Sequence, residues 1–109
     1  MEAKFKVWLE KDGEVIVGNG KVGLLKLVKE LGSIQKAAQE YGMSYRHAWG
    51  MIQKIEKRSG FKFVETQVGG KDGGRASLTP TGREFLSQYA KFEKGLDKII
   101  EKKFKAAFK

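Results

Sequence analysis

Residues 32–60 read GSIQKAAQEYGMSYRHAWGMIQKIEKRSG, and no other stretch constrains the chain as tightly. Gly32, Gly42 and Gly60 divide it into two segments, and a serine able to cap a helix opens each one, Ser33 and Ser44. In the first segment Ile34, Ala37, Ala38 and Tyr41 recur at i, i+3, i+4 and i+7, which is one face of a helix. In the second, Ala48, Ile52, Ile55 and Ser59 share a face. Two one-sided helices separated by Gly-Met-Ser must bury their apolar faces on a common core. The small side chains Ala37 and Ala38 let them approach closely. The pattern predicts a helix-turn-helix over residues 33–60, with the polar face of its second helix, 44–59, turned outward.

The flanking sequence supplies the rest of a small domain. Phe5, Val7 and Leu9 alternate with Lys6, Trp8 and Glu10, the period of a strand. Asp12-Gly13 is a hairpin turn, and Glu14–Val17 returns, giving a β-hairpin within residues 1–18. Val22, Leu24, Leu25, Leu27, Val28 and Leu31 then follow helical periodicity, so residues 20–60 hold three helices. FKFVETQ and ASLT read as two strands around the glycine-rich VGGKDGGR, a wing spanning 61–79. Thr79-Pro80 begins a last helix, with Pro suited to the first turn. Thr81 and Glu84 offer an alternative capping box. The predicted class is mainly α with small β: a winged helix-turn-helix with an N-terminal hairpin and a long C-terminal helix over 80–109.

The 109 residues fit one domain, and 40% apolar content supports a core. Apolar runs are too short to span a bilayer, and the N-terminus lacks a signal-peptide pattern, so a cytoplasmic protein with no membrane partner is expected. Without cysteine there are no disulfides, thiol nucleophiles or thiolate metal sites. His47, the single histidine, has no catalytic or metal partner at useful spacing, so neither an enzyme nor a metal or cofactor site is expected.

Residues 18–23, GNGKVG, match the G-x-G-x-x-G of a dinucleotide-binding turn, but the context fails. That turn follows a strand of a parallel sheet, and its helix leads to a second strand with an acid about 20 residues on. Here the glycines follow a hairpin, and their helix leads into another helix. The second glycine loop fails as a phosphate cradle, because Lys71 is followed by Asp72 rather than Ser or Thr.

Charge points to a polyanion. The formal net charge is +9: residues 1–32 contribute +1, and residues 33–80 and 81–109 contribute +4 each. Arg46, Gly50, Gln53 and Lys57 share the helix face opposite Ala48, Ile52 and Ile55, with Trp49 and Lys54 on its flanks. That face holds no acid. Gly50 at its centre costs about 1 kcal/mol of helix stability relative to Ala, a loss that close approach of a large partner would explain. The expected partner is double-stranded DNA. Ser44, Tyr45 and Arg46 lie at the end that reaches base edges, and Arg46 can pair with guanine O6 and N7. Gln53 adds hydrogen-bonding capacity, Lys54 and Lys57 suit phosphate, and Trp49 either seals the core or touches DNA. Lys71 and Arg75 on the wing, 68–75, suit the DNA backbone or minor groove.

In the last helix Phe85, Tyr89, Phe92, Leu96 and Ile99 form a heptad stripe, predicted to pair with a second copy or to fold back on the N-terminal hairpin. A run from about Thr81 to Phe104 would extend roughly 36 Å, more than so small a domain covers. The resulting expectation is a homodimeric DNA-binding transcriptional regulator. The alternatives are a sequence-blind architectural DNA-binding protein and a winged-helix module that docks on protein.

GSI, AA, YGMSYRHAW and then VGGKDGGRASLT resemble the N-terminal winged helix-turn-helix domain of the molybdate-responsive ModE regulators, over roughly residues 20–90. LysR-type regulators carry a related domain. The resemblance implies DNA binding as a dimer through long helices, with Ser44, Tyr45, Arg46, Lys71 and Arg75 in the DNA-binding elements. Asp72 and Arg75 interrupt the glycine run usual in that family's wing. ModE proteins also carry molybdate-binding domains, whereas this sequence ends at Lys109, so the resemblance implies DNA binding without implying molybdate sensing and leaves the identity of any effector open.

Overall fold

The computed structural model describes residues 1–67 and 74–109. Its elements run β1 (Trp8–Lys11), β2 (Glu14–Gly18), α1 (Asn19–Leu31), α2 (Ile34–Tyr41), α3 (Tyr45–Ser59), β3 (Val64–Gln67), β4 (Arg75–Leu78), α4 (Pro80–Glu93) and α5 (Leu96–Ala107). Both sheets are two-stranded and antiparallel. In the first, Lys11 opposes Glu14 across Asp12-Gly13, both at positive φ, as a tight hairpin turn requires. The strand begins at Trp8, later than the alternation from Phe5 predicts, and its register shifts between Leu9 and Glu10.

Each predicted helix boundary in the central segment is built by the expected chemistry. The Ser33 and Ser44 hydroxyls accept from the backbone N–H groups of Lys36 (3.1 Å) and His47 (3.0 Å). Gly32, Gly42 and Gly60 close α1, α2 and α3 in the left-handed conformation, with φ of 67°, 76° and 83°. The apolar faces of these helices meet in one core. Ala37, Ala48, Ile52, Ile55, Leu24, Leu25 and Val28 are fully buried there with Val17 of the hairpin.

Of the N-terminal glycines, Gly23 serves packing. Gly18 caps α1 and Gly20 lies in its first turn. A side chain at Gly23 would collide with the phenol of Tyr41, whose hydroxyl donates to the Gly20 carbonyl at 2.7 Å. Gly23 thus lets α2 lie close to the start of α1, and among the described residues β2, which ends at Gly18, pairs only with β1.

The wing is locked to the body at its base. Val64 opposes Leu78 and Gln67 opposes Arg75, while the Ala76 N–H donates to the Gly32 carbonyl at 2.9 Å, tying β4 to the end of α1. Phe63 is buried and its ring lies 5.0 Å from that of Phe85. Thr79 caps α4 through the Gly82 N–H (2.9 Å) and donates its hydroxyl proton to the Lys62 carbonyl (2.7 Å).

The C-terminal segment is helical as predicted, but Gly95 divides it. Gly95 adopts φ 81° and caps α5, and the Lys94 N–H closes α4 on the Ala90 carbonyl. The heptad stripe therefore does not stay on one straight rod. Tyr89 is buried within the chain, where its hydroxyl donates to Asn19 Oδ1 at 2.9 Å. Burial, with Glu93 adding to it, holds this phenol above its usual range. Phe85 packs on Phe63. Tyr89, which the spacing places at an interface, is thus a core contact, and Phe85 is half-buried against the core.

Gly82 tests the wing–helix junction. A Cβ there would come within 2.5 Å of the Phe63 carbonyl oxygen, a backbone atom with no freedom to retreat. Gly82→Ala is expected to lower unfolding free energy by about 1–3 kcal/mol in urea melts. Gly20→Ala, which meets no atom within 4 Å, is expected to raise it by about 0.5–1 kcal/mol. Equal effects would contradict the junction's tight fit.

Candidate nucleic-acid interface

The interface is assembled around α3. With Ala48, Ile52 and Ile55 buried, helical geometry turns Arg46, Gln53 and Lys57 outward, and all three are exposed. Among the described residues, no atom beyond its immediate neighbours and helical backbone lies within 4 Å of a Cβ placed on Gly50, so their packing does not demand a glycine there. Lys54 is also exposed. Trp49 is half-buried against the core, which makes it first a packing residue.

The amino-terminal end of α3 is open. Tyr45 is 52% exposed, and Ser44 is exposed while its hydroxyl serves as the helix cap. A shallow cleft lined by Ser33, Gln35, Tyr45, Gln67 and Arg75 connects the first turns of α2 and α3 to the wing. The fold thus brings Tyr45 and Arg75, thirty positions apart in the sequence, to one surface. Lys71 lies outside the described residues.

Glu56 explains why the outward face carries no carboxylate. It is the single acid of α3, and its Oε2 accepts from the Phe63 N–H (2.8 Å) and the Val64 N–H (3.1 Å). The carboxylate thus points sideways and fixes the first residues of the wing to the helix. Sequence reading missed this role, because a carboxylate bonding backbone seven and eight residues on has no periodic signature. On the opposite flank the Arg58 guanidinium donates to the Val15 carbonyl (2.7 Å), with Glu14 at 3.7 Å. The wing and the N-terminal hairpin are therefore tied to opposite sides of the same helix.

Residues 21–83 match the bacterial regulatory helix-turn-helix proteins of the lysR family. The chain belongs to that family. The match runs from the first turn of α1 through the wing into α4 and includes α3, while the hairpin tied to it through Arg58 lies before it. The ModE resemblance holds as well. The molybdenum-pterin-binding protein MopB of Rhodobacter capsulatus is 37% identical over 94 residues, covering 86% of this chain and 34% of that protein. The DNA-binding transcriptional dual regulator ModE of Escherichia coli K12 is 33% identical over 89 residues, covering 82% of this chain and 34% of its own length. The chain spans about a third of the length of these curated relatives.

The fold is that of lysR-type DNA-binding domains. The BenM_DBD/benA site 1 DNA complex matches with a TM-score of 0.57 at 20% identity, covering 81% of this chain and 93% of that one. Vibrio fischeri DarR, solved in complex with DNA, also gives 0.57, at 17% identity over 76% of this chain and 28% of DarR. Among the described residues no helix is long and apolar enough to cross a membrane, and no group of acidic or histidine side chains is arranged to hold a metal.

The Glu56 clamp gives a direct prediction. Glu56→Ala is expected to cost about 1–3 kcal/mol by removing two charge-assisted hydrogen bonds. Amide exchange should accelerate at Phe63 and Val64 before it does so in α1. Unchanged protection at both amides would mean that the carboxylate does not hold the wing.

Proposed function

We propose that this chain is the DNA-binding part of a cytoplasmic transcriptional regulator acting as a homodimer, with no catalytic role. The observation that carries the reading is the exposed, acid-free face of α3 with a wing fixed beside it. Arg46 reads base edges in the major groove, with Ser44 and Tyr45 beside it, and Gln53 contributes a further hydrogen-bonding group. Lys54 and Lys57 meet phosphates. Arg75 and Lys71 contact the DNA backbone or minor groove from the wing. Trp49 supports this surface from beneath. The DNA complexes of similarly folded domains and the regulatory names of the relatives support the same partner.

Dimerisation rests on what the protomer leaves uncovered. Phe92 is 48% exposed and Ile99 52% exposed, with half-buried Leu96 between them, on either side of the Gly95 break. A second copy covering these three residues would place two α3 helices about 34 Å apart, in successive major grooves of a near-palindromic site. Sedimentation is expected to show a dimer at tens of micromolar, and Ile99→Asp to shift it toward monomer. A wild-type chain that stays monomeric would remove the paired-groove arrangement.

Duplexes selected from a random library test the division of labour. Arg46→Ala is expected to weaken the selected site by about 1–3 kcal/mol and to relax preference at one base pair. Arg75→Ala should weaken selected and random duplexes alike. Equal losses from both variants on every duplex would contradict base reading by α3 and favour sequence-blind coating of DNA. Gly50→Ala adds a second test: it should stabilise the free protein by about 1 kcal/mol and weaken DNA binding. Unchanged DNA binding in that variant would mean that the glycine marks no close approach.

A further inference from the structure

A second basic group lies on the flank of α3 that faces away from the wing. At about 100° per residue, Lys54 and Arg58 lie on one side of the helix, whereas Glu56, which holds the wing, lies on the other. Arg58 is bonded to the Val15 carbonyl of β2. That strand leads directly into α1, whose first turn carries half-buried Lys21. Burial lowers the Lys21 ammonium below its usual range, and the neighbouring charges of Arg58 and Lys54 lower it further. Against these three cations stands Glu14, 3.7 Å from Arg58. Among the described residues, no ion pair within 4 Å engages Lys21 or Lys54. Lys21 at the start of α1 thus lies within reach of the charges of Lys54 and Arg58 on the adjoining flank of α3.

We infer that Lys21, Lys54 and Arg58 form a phosphate clamp for the DNA strand bordering α3 on the side opposite the wing. This rests on the proposed DNA-binding reading and extends its contact surface from the flank of α3 to Lys21 at the start of α1, outside the helix-turn-helix and the wing. A helix seated in the major groove has a phosphate backbone along each side of it. The wing serves one side. The start of α1, braced by the hairpin through Arg58, serves the other. The phosphodiester supplies the negative charge that the folded chain withholds from Lys21.

The test is duplex binding between 50 and 200 mM salt, on a library-selected site and on random sequence, for wild type, Lys21→Gln and Lys21→Arg. Lys21→Gln is expected to reduce the log–log salt slope by about one on both duplexes and to leave the ratio of their affinities unchanged. Lys21→Arg is expected to retain the slope. Melting of the DNA-free protein supplies a readout that a purely structural lysine would not give: Lys21→Gln should melt higher than wild type, because it relieves the cation cluster. A full wild-type slope in Lys21→Gln overturns this inference alone, whatever the melting temperature does. A lower melting temperature overturns it as well, since Lys21 would then be a stabilising residue. Wild-type protein that binds neither duplex overturns the DNA-binding reading and this clamp with it.

Discussion

The apolar seam of α3 is the constraint on which the remaining structure depends. Ala48, Ile52 and Ile55 are completely buried, and a helix that buries one side has no choice about what it shows on the other. Ala37 and Ala38 of α2 are small enough to bring the two helices into direct contact, and Gly42 turns the chain sharply between them. Exposure of Arg46, Gln53 and Lys57 is thus a packing consequence. Substitutions on that face can change recognition with little effect on the fold, whereas a larger residue at Ala37, Ala38 or Ala48 would displace the helix and everything it presents.

Two lateral attachments turn this helix into a surface. Glu56 binds the wing's first backbone amides on one side, and Arg58 binds the hairpin's carbonyl on the other. Both join a side chain of α3 to main chain elsewhere, so they fix position without consuming the groups that face outward. Charge follows a similar division: the helix's one acid and Arg58 are engaged with backbone, and Arg46, Lys54 and Lys57 remain exposed. The lysR-family match from Lys21 to Arg83 encloses the Glu56 attachment and Arg58 itself, whereas the hairpin carbonyl that Arg58 binds lies before it.

Much of this was legible in the sequence because it is local. Serine caps, glycine stops and apolar periodicity located α1, α2 and α3, since each signal acts within a few residues of its effect. Asp12-Gly13 fixed the hairpin turn for the same reason. Tertiary effects were not legible. Tyr41 has the spacing of a core residue but is 37% exposed, its hydroxyl reaching the Gly20 carbonyl. The stripe from Phe85 to Ile99 keeps its heptad spacing across Gly95, and spacing alone does not reveal that the glycine breaks the rod there. Tyr89 was assigned to a partner because the contact that buries it, with Asn19, lies seventy positions away. For the interface, the identity and exposure of the α3 residues were readable. The roles of Glu56, Arg58 and Lys21 required the fold.

The central claim is that the outward face of α3 and the surfaces attached to either side of it meet DNA together. Titrating the isotopically labelled protein with a library-selected duplex and following backbone amide resonances tests this most directly. The account predicts that the largest changes fall at Arg46, Gly50, Gln53 and Lys57, with further changes at Arg75 and Lys21, while buried Leu24, Ile52 and Phe63 move little. Changes concentrated on α5 and the N-terminal residues, with Arg46 through Lys57 unperturbed, would contradict it.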